Sequence, residues 1–129
     1  MALEYQGWAV VRNSASDADL DPNKLRALQD LLASLSSDHR QLGGQFINGE
    51  FFTWAFGLSN HKGPDFDDVQ RYFSAIAELA PGSYGLLYHR DSESPDRSNS
   101  FQVLVLAKGQ LQLADDPFLS PCTPIIEDP

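Results

Sequence analysis

The chain has one cysteine among 129 residues, too few for an internal disulfide, so packing and hydrogen bonding must hold its fold. A reducing compartment is the simpler setting for such a chain. Basic residues are also scarce. Nine Lys and Arg stand against eighteen Asp and Glu, a formal charge of −9. That balance repels phosphate backbones and anionic membranes and favours a basic partner. No apolar run approaches the roughly 18 residues of a membrane span, and the opening stretch MALEYQGWAVVRNS lacks the basic region of a secretion signal. These absences predict a soluble, cytoplasmic protein with neither a membrane nor a nucleic acid as partner. There is no phosphate-cradling glycine loop and no basic patch interleaved with aromatics. The histidines His39, His61 and His89 are scattered, without the spacing of a metal site, so no metal or other cofactor is expected.

The chain is rich in apolar patterning. Hydrophobic residues make up 42%, enough for one real core, and no repeat, low-complexity tract or long linker divides the sequence. Glu4 to Asn13 reads as a strand, through Tyr5, Trp8, Val10 and Val11. Asp21-Pro22 then caps a helix whose Leu25, Leu28, Leu31, Leu32 and Leu35 recur at spacings of three and four, to about Ser36. After a break at Gly43-Gly44, Asn48-Gly49 sits between apolar runs and predicts a two-residue hairpin. Period two puts Phe52, Trp54, Phe56 and Leu58 on one face, read here as an aromatic core stripe beneath the leucines. A second helix follows, with Phe66, Val69, Phe73, Ile76, Ala77 and Ala80 on one side and a stop at Pro81-Gly82. Ser83 to Tyr88 forms a fourth strand, HRDSESPDRSNS a polar loop, and FQVLVLAKGQLQLA a hairpin turning at Lys108-Gly109. The order β-α-β-β-α-β-β-β predicts a single α+β domain over residues 1–129. Its antiparallel sheet has about six strands, with two helices on one face, a ferredoxin-like split β-α-β plan plus a carboxyl-terminal hairpin.

Catalytic chemistry finds little support. Cys122, in SPCTP, has no glycine elbow or helix start to activate it and reads as a buried apolar thiol. Asp17, Asp19 and Asp21 alternate like calcium ligands, but Pro22 stands where the loop needs glycine and Leu28 where it needs a bidentate glutamate. Asp91, Glu93 and Asp96 lie between Arg90 and Arg97 on an exposed loop, a poor place to raise a carboxyl pKa. Charged loops on a rigid sheet are instead where recognition resides. An enzyme using Cys122 or a His and carboxylate pair stays a rival reading. So does a small ligand-sensing or regulatory module, which would need a symmetric dimer and a glycine-lined pocket.

The last fifteen residues, DDPFLSPCTPIIEDP, are apolar and acidic at once. Phe118, Leu119, Ile125 and Ile126 are expected to order this Pro-rich segment against the sheet or a helix, with Pro117, Pro121 and Pro124 lowering the entropic cost. Asp115, Asp116, Glu127 and Asp128 would then face water near the loop from Arg90 to Asp96. YGLLYHRDSES (Tyr84 to Ser94) and DDPFLSPCTPIIED (Asp115 to Asp128), joined by FQVLVLAKGQL, together resemble the immunity protein 7 family of bacterial polymorphic toxin systems. Tyr84, Gly85, Tyr88, Arg90, Asp91 and Glu93 match its first segment. Phe118, Ser120, Pro121, Cys122, Pro124 and Glu127 match its second, and Ser92 departs where another carboxylate is expected. The resemblance implies a non-catalytic protein that neutralises a toxin encoded beside it by binding and occlusion. The partner-binding candidates are then Tyr88, Arg90, Asp91, Glu93, Asp96, Asp115, Asp116, Glu127 and Asp128. The expected partner is a cognate toxin domain, such as a nuclease with a basic cleft. The oligomeric state is left open.

Overall fold

The structure, a computed structural model, describes residues 3–35, 40–59 and 64–126. Among these the chain runs β1 (Leu3–Val11), α1 (Pro22–Leu35), β2 (Arg40–Ile47), β3 (Glu50–Ser59), α2 (Pro64–Leu79), β4 (Tyr84–Asp91), β5 (Gln102–Ala107), β6 (Gln110–Asp115) and the short α3 (Cys122–Ile125). The strands form one antiparallel sheet in the order β2-β3-β1-β4-β5-β6. This is the predicted α+β plan: a split β-α-β arrangement over the first four strands, extended by the β5-β6 hairpin.

Local chemistry explains the elements. The Asp21 carboxylate accepts the Asn23 N–H at 2.7 Å and caps α1, whose Leu28, Leu32 and Leu35 enter the core. All six positions predicted for the second helix are buried, five in α2 and Ala80 just past its end, and Tyr72 joins them. Both hairpins turn through paired positive φ angles, Asn48 with Gly49 and Lys108 with Gly109, as a type I′ turn requires. The two helices pack on one side of the sheet against Leu3, Tyr5, Ala9, Val11, Leu87, Leu104 and Leu106.

Three expectations need correction. Gly43-Gly44 is no break: both residues lie inside β2, paired with Trp54 and Thr53. A side chain at Gly43 would collide with the Trp54 ring, and one at Gly44 with the Phe51 ring, so these glycines make room for aromatics. β4 also runs past Tyr88 through His89 and Arg90 to Asp91. Most consequentially, the face of β3 is inverted. Phe51, Thr53 and Ala55 are buried under the helices, whereas Phe52, Trp54, Phe56 and Leu58 point away from them. Past Phe51, the helix-side residues Thr53, Ala55 and Gly57 are small because bulky groups already fill that layer: Tyr72 reaches Thr53, and the Tyr5 ring occupies the space over Gly57.

Thr53 anchors this layer. Its hydroxyl donates to the Gly43 carbonyl at 2.7 Å, which leaves it to accept from the Tyr72 hydroxyl at 2.8 Å. Burial pushes the Tyr72 pKa up to about 12 from an ordinary 10.0, against a smaller lowering by Thr53. Above pH 10 the unfolded chain sheds a proton that the folded chain retains. The tyrosine's contribution is therefore intact below about pH 10 and falls by roughly 2–3 kcal/mol as pH rises to about 12. Urea unfolding across that window should show the loss in the wild type and a flatter dependence in Tyr72→Phe. Equal slopes in the two proteins would contradict the assignment.

Candidate functional site

The loop after β4 and the segment after β6 come together, as the sequence reading expected. Asp116 N–H donates to the Phe101 carbonyl at 3.1 Å, and Phe101 N–H donates to Ser120 Oγ at 2.8 Å. Cys122 N–H donates to the Asn99 carbonyl at 2.9 Å, and Thr123 N–H to Asn99 Oδ1 at 2.7 Å. Arg97 Nη1 bridges to Asp115 Oδ1 at 2.6 Å. Residues 116–126 are thus a strap laid along the loop and the start of β5.

What anchors the strap differs from the expectation. Phe118 is 75% exposed, Ile125 and Ile126 are about half exposed, and Leu119 is also exposed, so these four do not pin it. Its anchors are Cys122, fully buried, and Asp116, only 4% exposed. The Asp116 carboxylate turns inward, accepting from Phe118 N–H at 3.0 Å, Leu119 N–H at 2.6 Å and Ser120 Oγ at 3.1 Å. Asp116 therefore does not face water, because its charge is spent on ordering its own backbone. Glu127 and Asp128 lie outside the described residues, as do His39 and His61.

The remaining predicted residues divide into supports and exposed groups. Arg90 is a support: its guanidinium meets Glu4 Oε1 at 2.8 and 2.9 Å, donates to the Ser98 carbonyl at 3.2 Å and lies 5.8 Å from the Phe101 ring centre. Tyr88 packs edge-on against Phe101, and burial followed by the negative charge of Asp116 raises its pKa. Burial likewise raises the Cys122 thiol, with Arg90 pulling the other way. Glu93, Asp96 and Asp115 are exposed, and Asp91, half-buried, accepts the Glu93 N–H at 2.9 Å. More carboxylates gather at this end. Leu3 pairs with both Ser59 and Asp91, and His89 lies against Phe66, so the first turn of α2, with Asp65 and Asp67, starts beside the loop.

Two clefts bear on the rival readings. One of about 90 Å³ lies between His89, Asp91, Ser94 and Arg97, well under the roughly 300 Å³ at which small-molecule sites begin. Another, of about 400 Å³, opens between α1 and the β2-β3 hairpin and is lined by Val11, Leu20, Leu25, Phe46 and Phe51 with one carboxylate, Asp19. Among the described residues, no three His, Cys, Asp or Glu side chains group as metal ligands, and no helix is long and apolar enough to cross a membrane.

On the sheet face away from the helices, the register sets Trp8 beside Trp54 on one side and Leu86 on the other. The next row joins Gln6, Phe56 and Tyr88, and the Trp8 ring meets Tyr84 edge-on at 6.2 Å. Trp8, Phe56, Leu58 and Tyr84 are each between 44% and 57% exposed.

The family model described as Immunity protein 7 matches residues 2–128. The chain belongs to the immunity protein 7 family. Its members are immunity proteins of toxin systems, so a toxin is the partner against which these surfaces must be weighed. Among curated proteins and solved structures, nothing matches the chain significantly. In this immunity protein the sequence reading brought the loop and strap together correctly. It took the aromatic row of β3 for core, however, and so missed a second exposed surface. The signal was present in Thr53, Ala55 and Gly57: small residues at alternate positions mark the face that must admit large side chains from elsewhere.

Proposed function

We propose that the chain is a cytoplasmic immunity protein that neutralises a cognate toxin domain by stoichiometric binding and occlusion, without turnover of a substrate. The observation that carries this reading is the ordered, acidic end of the sheet. There Asp91 ends β4, Glu93 and Asp96 sit on the loop that follows, and Asp115 ends β6 where the strap begins, the loop and strap bracing each other with Asp65 and Asp67 close by. Tyr88 and Arg90 hold that end in place from beneath. Fixed carboxylates cost a partner little ordering entropy, and their combined field draws in a basic surface such as a nuclease cleft.

Reversing Asp91, Glu93, Asp96 and Asp115 to lysine together should slow association with the toxin domain by roughly tenfold to a hundredfold at low ionic strength. The salt dependence of the association rate should flatten, and far-UV circular dichroism should not change. Stopped-flow mixing with an inactivated toxin domain from the neighbouring reading frame measures both. A rate and salt slope equal to the wild type would remove the electrostatic part of the proposal.

A further inference from the structure

A six-stranded sheet covered by helices on one side has a second side, and part of that side is already roofed. There the strap is hydrogen-bonded to Phe101, and both Phe101 and Val103 are buried although neither belongs to the core beneath the helices. Cys122 in the strap comes within the field of Arg90 and Glu4. The register partner of Glu4 is Leu58, so the roof ends where the exposed apolar rows begin. Beyond that edge, Trp8, Phe56, Leu58 and Tyr84 are all exposed and Trp54 is half-buried. From β2 to β4 this area is on the order of 600 Å² by strand spacing and rise, most of the roughly 800 Å² that each partner gives to a stable interface.

Charge decides between a second copy and a different partner. Two copies would join charges of −9 and −9 through the same face. The two arginines at this face offer the other copy nothing, since Arg12 is paired with Glu50 and Arg90 with Glu4. Glu4 is held by Arg90, but at the same edge Leu3 pairs with Asp91, where β4 passes into the acidic loop, so a cationic partner covering the aromatics and reaching over that edge would meet the loop carboxylates. Large aromatic side chains beside a charged rim are the usual make-up of an interface centre.

We infer that the open sheet face centred on Trp8, Trp54 and Phe56 is the seat of the toxin domain, which presents to it an apolar patch rimmed by lysine or arginine. This rests on the proposed toxin-binding function and adds a division of labour. The acidic end sets how fast the complex forms, and the aromatic face sets how long it lasts.

The two tryptophans of the chain, Trp8 and Trp54, are both on this face and report on it directly. In the full chain labelled with 5-fluorotryptophan, both ¹⁹F resonances should shift when the inactivated toxin domain is added. Trp8→Ala combined with Phe56→Ala should raise the dissociation rate by at least about thirtyfold and leave the association rate within about threefold of wild type. Phe56→Gln, at an already exposed position, provides a milder variant that keeps the test open if the double variant folds poorly; several-fold faster dissociation is expected of it. Toxin binding with unmoved ¹⁹F resonances and wild-type dissociation overturns the inference while the proposed function stands. Resonances that shift on concentrating the chain alone, to the positions seen with toxin, overturn it in favour of a second copy. No binding by the wild-type chain removes the proposed function as well.

Discussion

Asp116→Ala should release the carboxyl-terminal strap while the sheet stays folded. The carboxylate accepts three hydrogen bonds from the strap, two of them from backbone N–H groups. Alanine leaves those donors without their partner, and bonds to a charged acceptor are worth roughly 1.5–3 kcal/mol each, less than additively. About 3 kcal/mol is the expected loss of strap docking, which corresponds to on the order of a hundredfold more of the open form. Cys122 reports it, being fully buried with a thiol that burial makes harder to ionise. In the native wild type it should resist alkylation and react freely only in urea. In Asp116→Ala it should react on the order of a hundred times faster, with a much smaller change in the global unfolding midpoint, because a terminal segment opens as a local unit. Asp116→Asn, which keeps one acceptor oxygen, should fall between. Wild-type labelling rates in Asp116→Ala would show that the strap is held by something else.

Gly85→Val should prevent the sheet from forming. Gly85 lies on β4 opposite Ala9, where the two central strands meet. A Cβ there would collide with the Trp8 carbonyl oxygen and come within 2.7 Å of the Ala9 Cα. Main-chain atoms cannot rotate away as a side-chain tip can, so relief requires parting β1 from β4. The expected loss is about 4 kcal/mol or more, enough to exhaust much of the stability of a chain this size. Insoluble expression or loss of a cooperative melt is the anticipated result. A valine variant melting within a few degrees of wild type would mean that the strands are not so closely apposed.

Elements were easier to read from the sequence than the faces they present. Asn48-Gly49 and Lys108-Gly109 located both hairpins because the turn chemistry is local, and Asp21-Pro22 located α1 for the same reason. The apolar positions of α2 were legible from helical spacing alone. Parity along β3 was not. Both alternating sets hold phenylalanine, and the more hydrophobic set, Phe52, Trp54, Phe56 and Leu58, is the one that faces out. Only the bulk arriving from Tyr5 and Tyr72, distant in sequence, makes Thr53 and Gly57 the inward choice. The strap shows the same limit. Its apolar residues looked like anchors, but a carboxylate and a thiol hold it, through partners such as Asn99 and Phe101 that only the folded chain supplies. At the site, the meeting of loop and strap followed from the last hairpin folding back beside β4, whereas the inward turn of Asp116 was not legible.

The proposed function assigns these features to one task, covering a partner with a sheet that is acidic at one end and aromatic across its open face. The most direct test of that claim is a titration of toxin activity with the purified chain at toxin concentrations well above the dissociation constant. Protection by occlusion predicts that activity falls linearly and reaches zero at one chain per toxin domain. Complete protection at a small fraction of that ratio would mean that the chain acts catalytically, and would contradict the account.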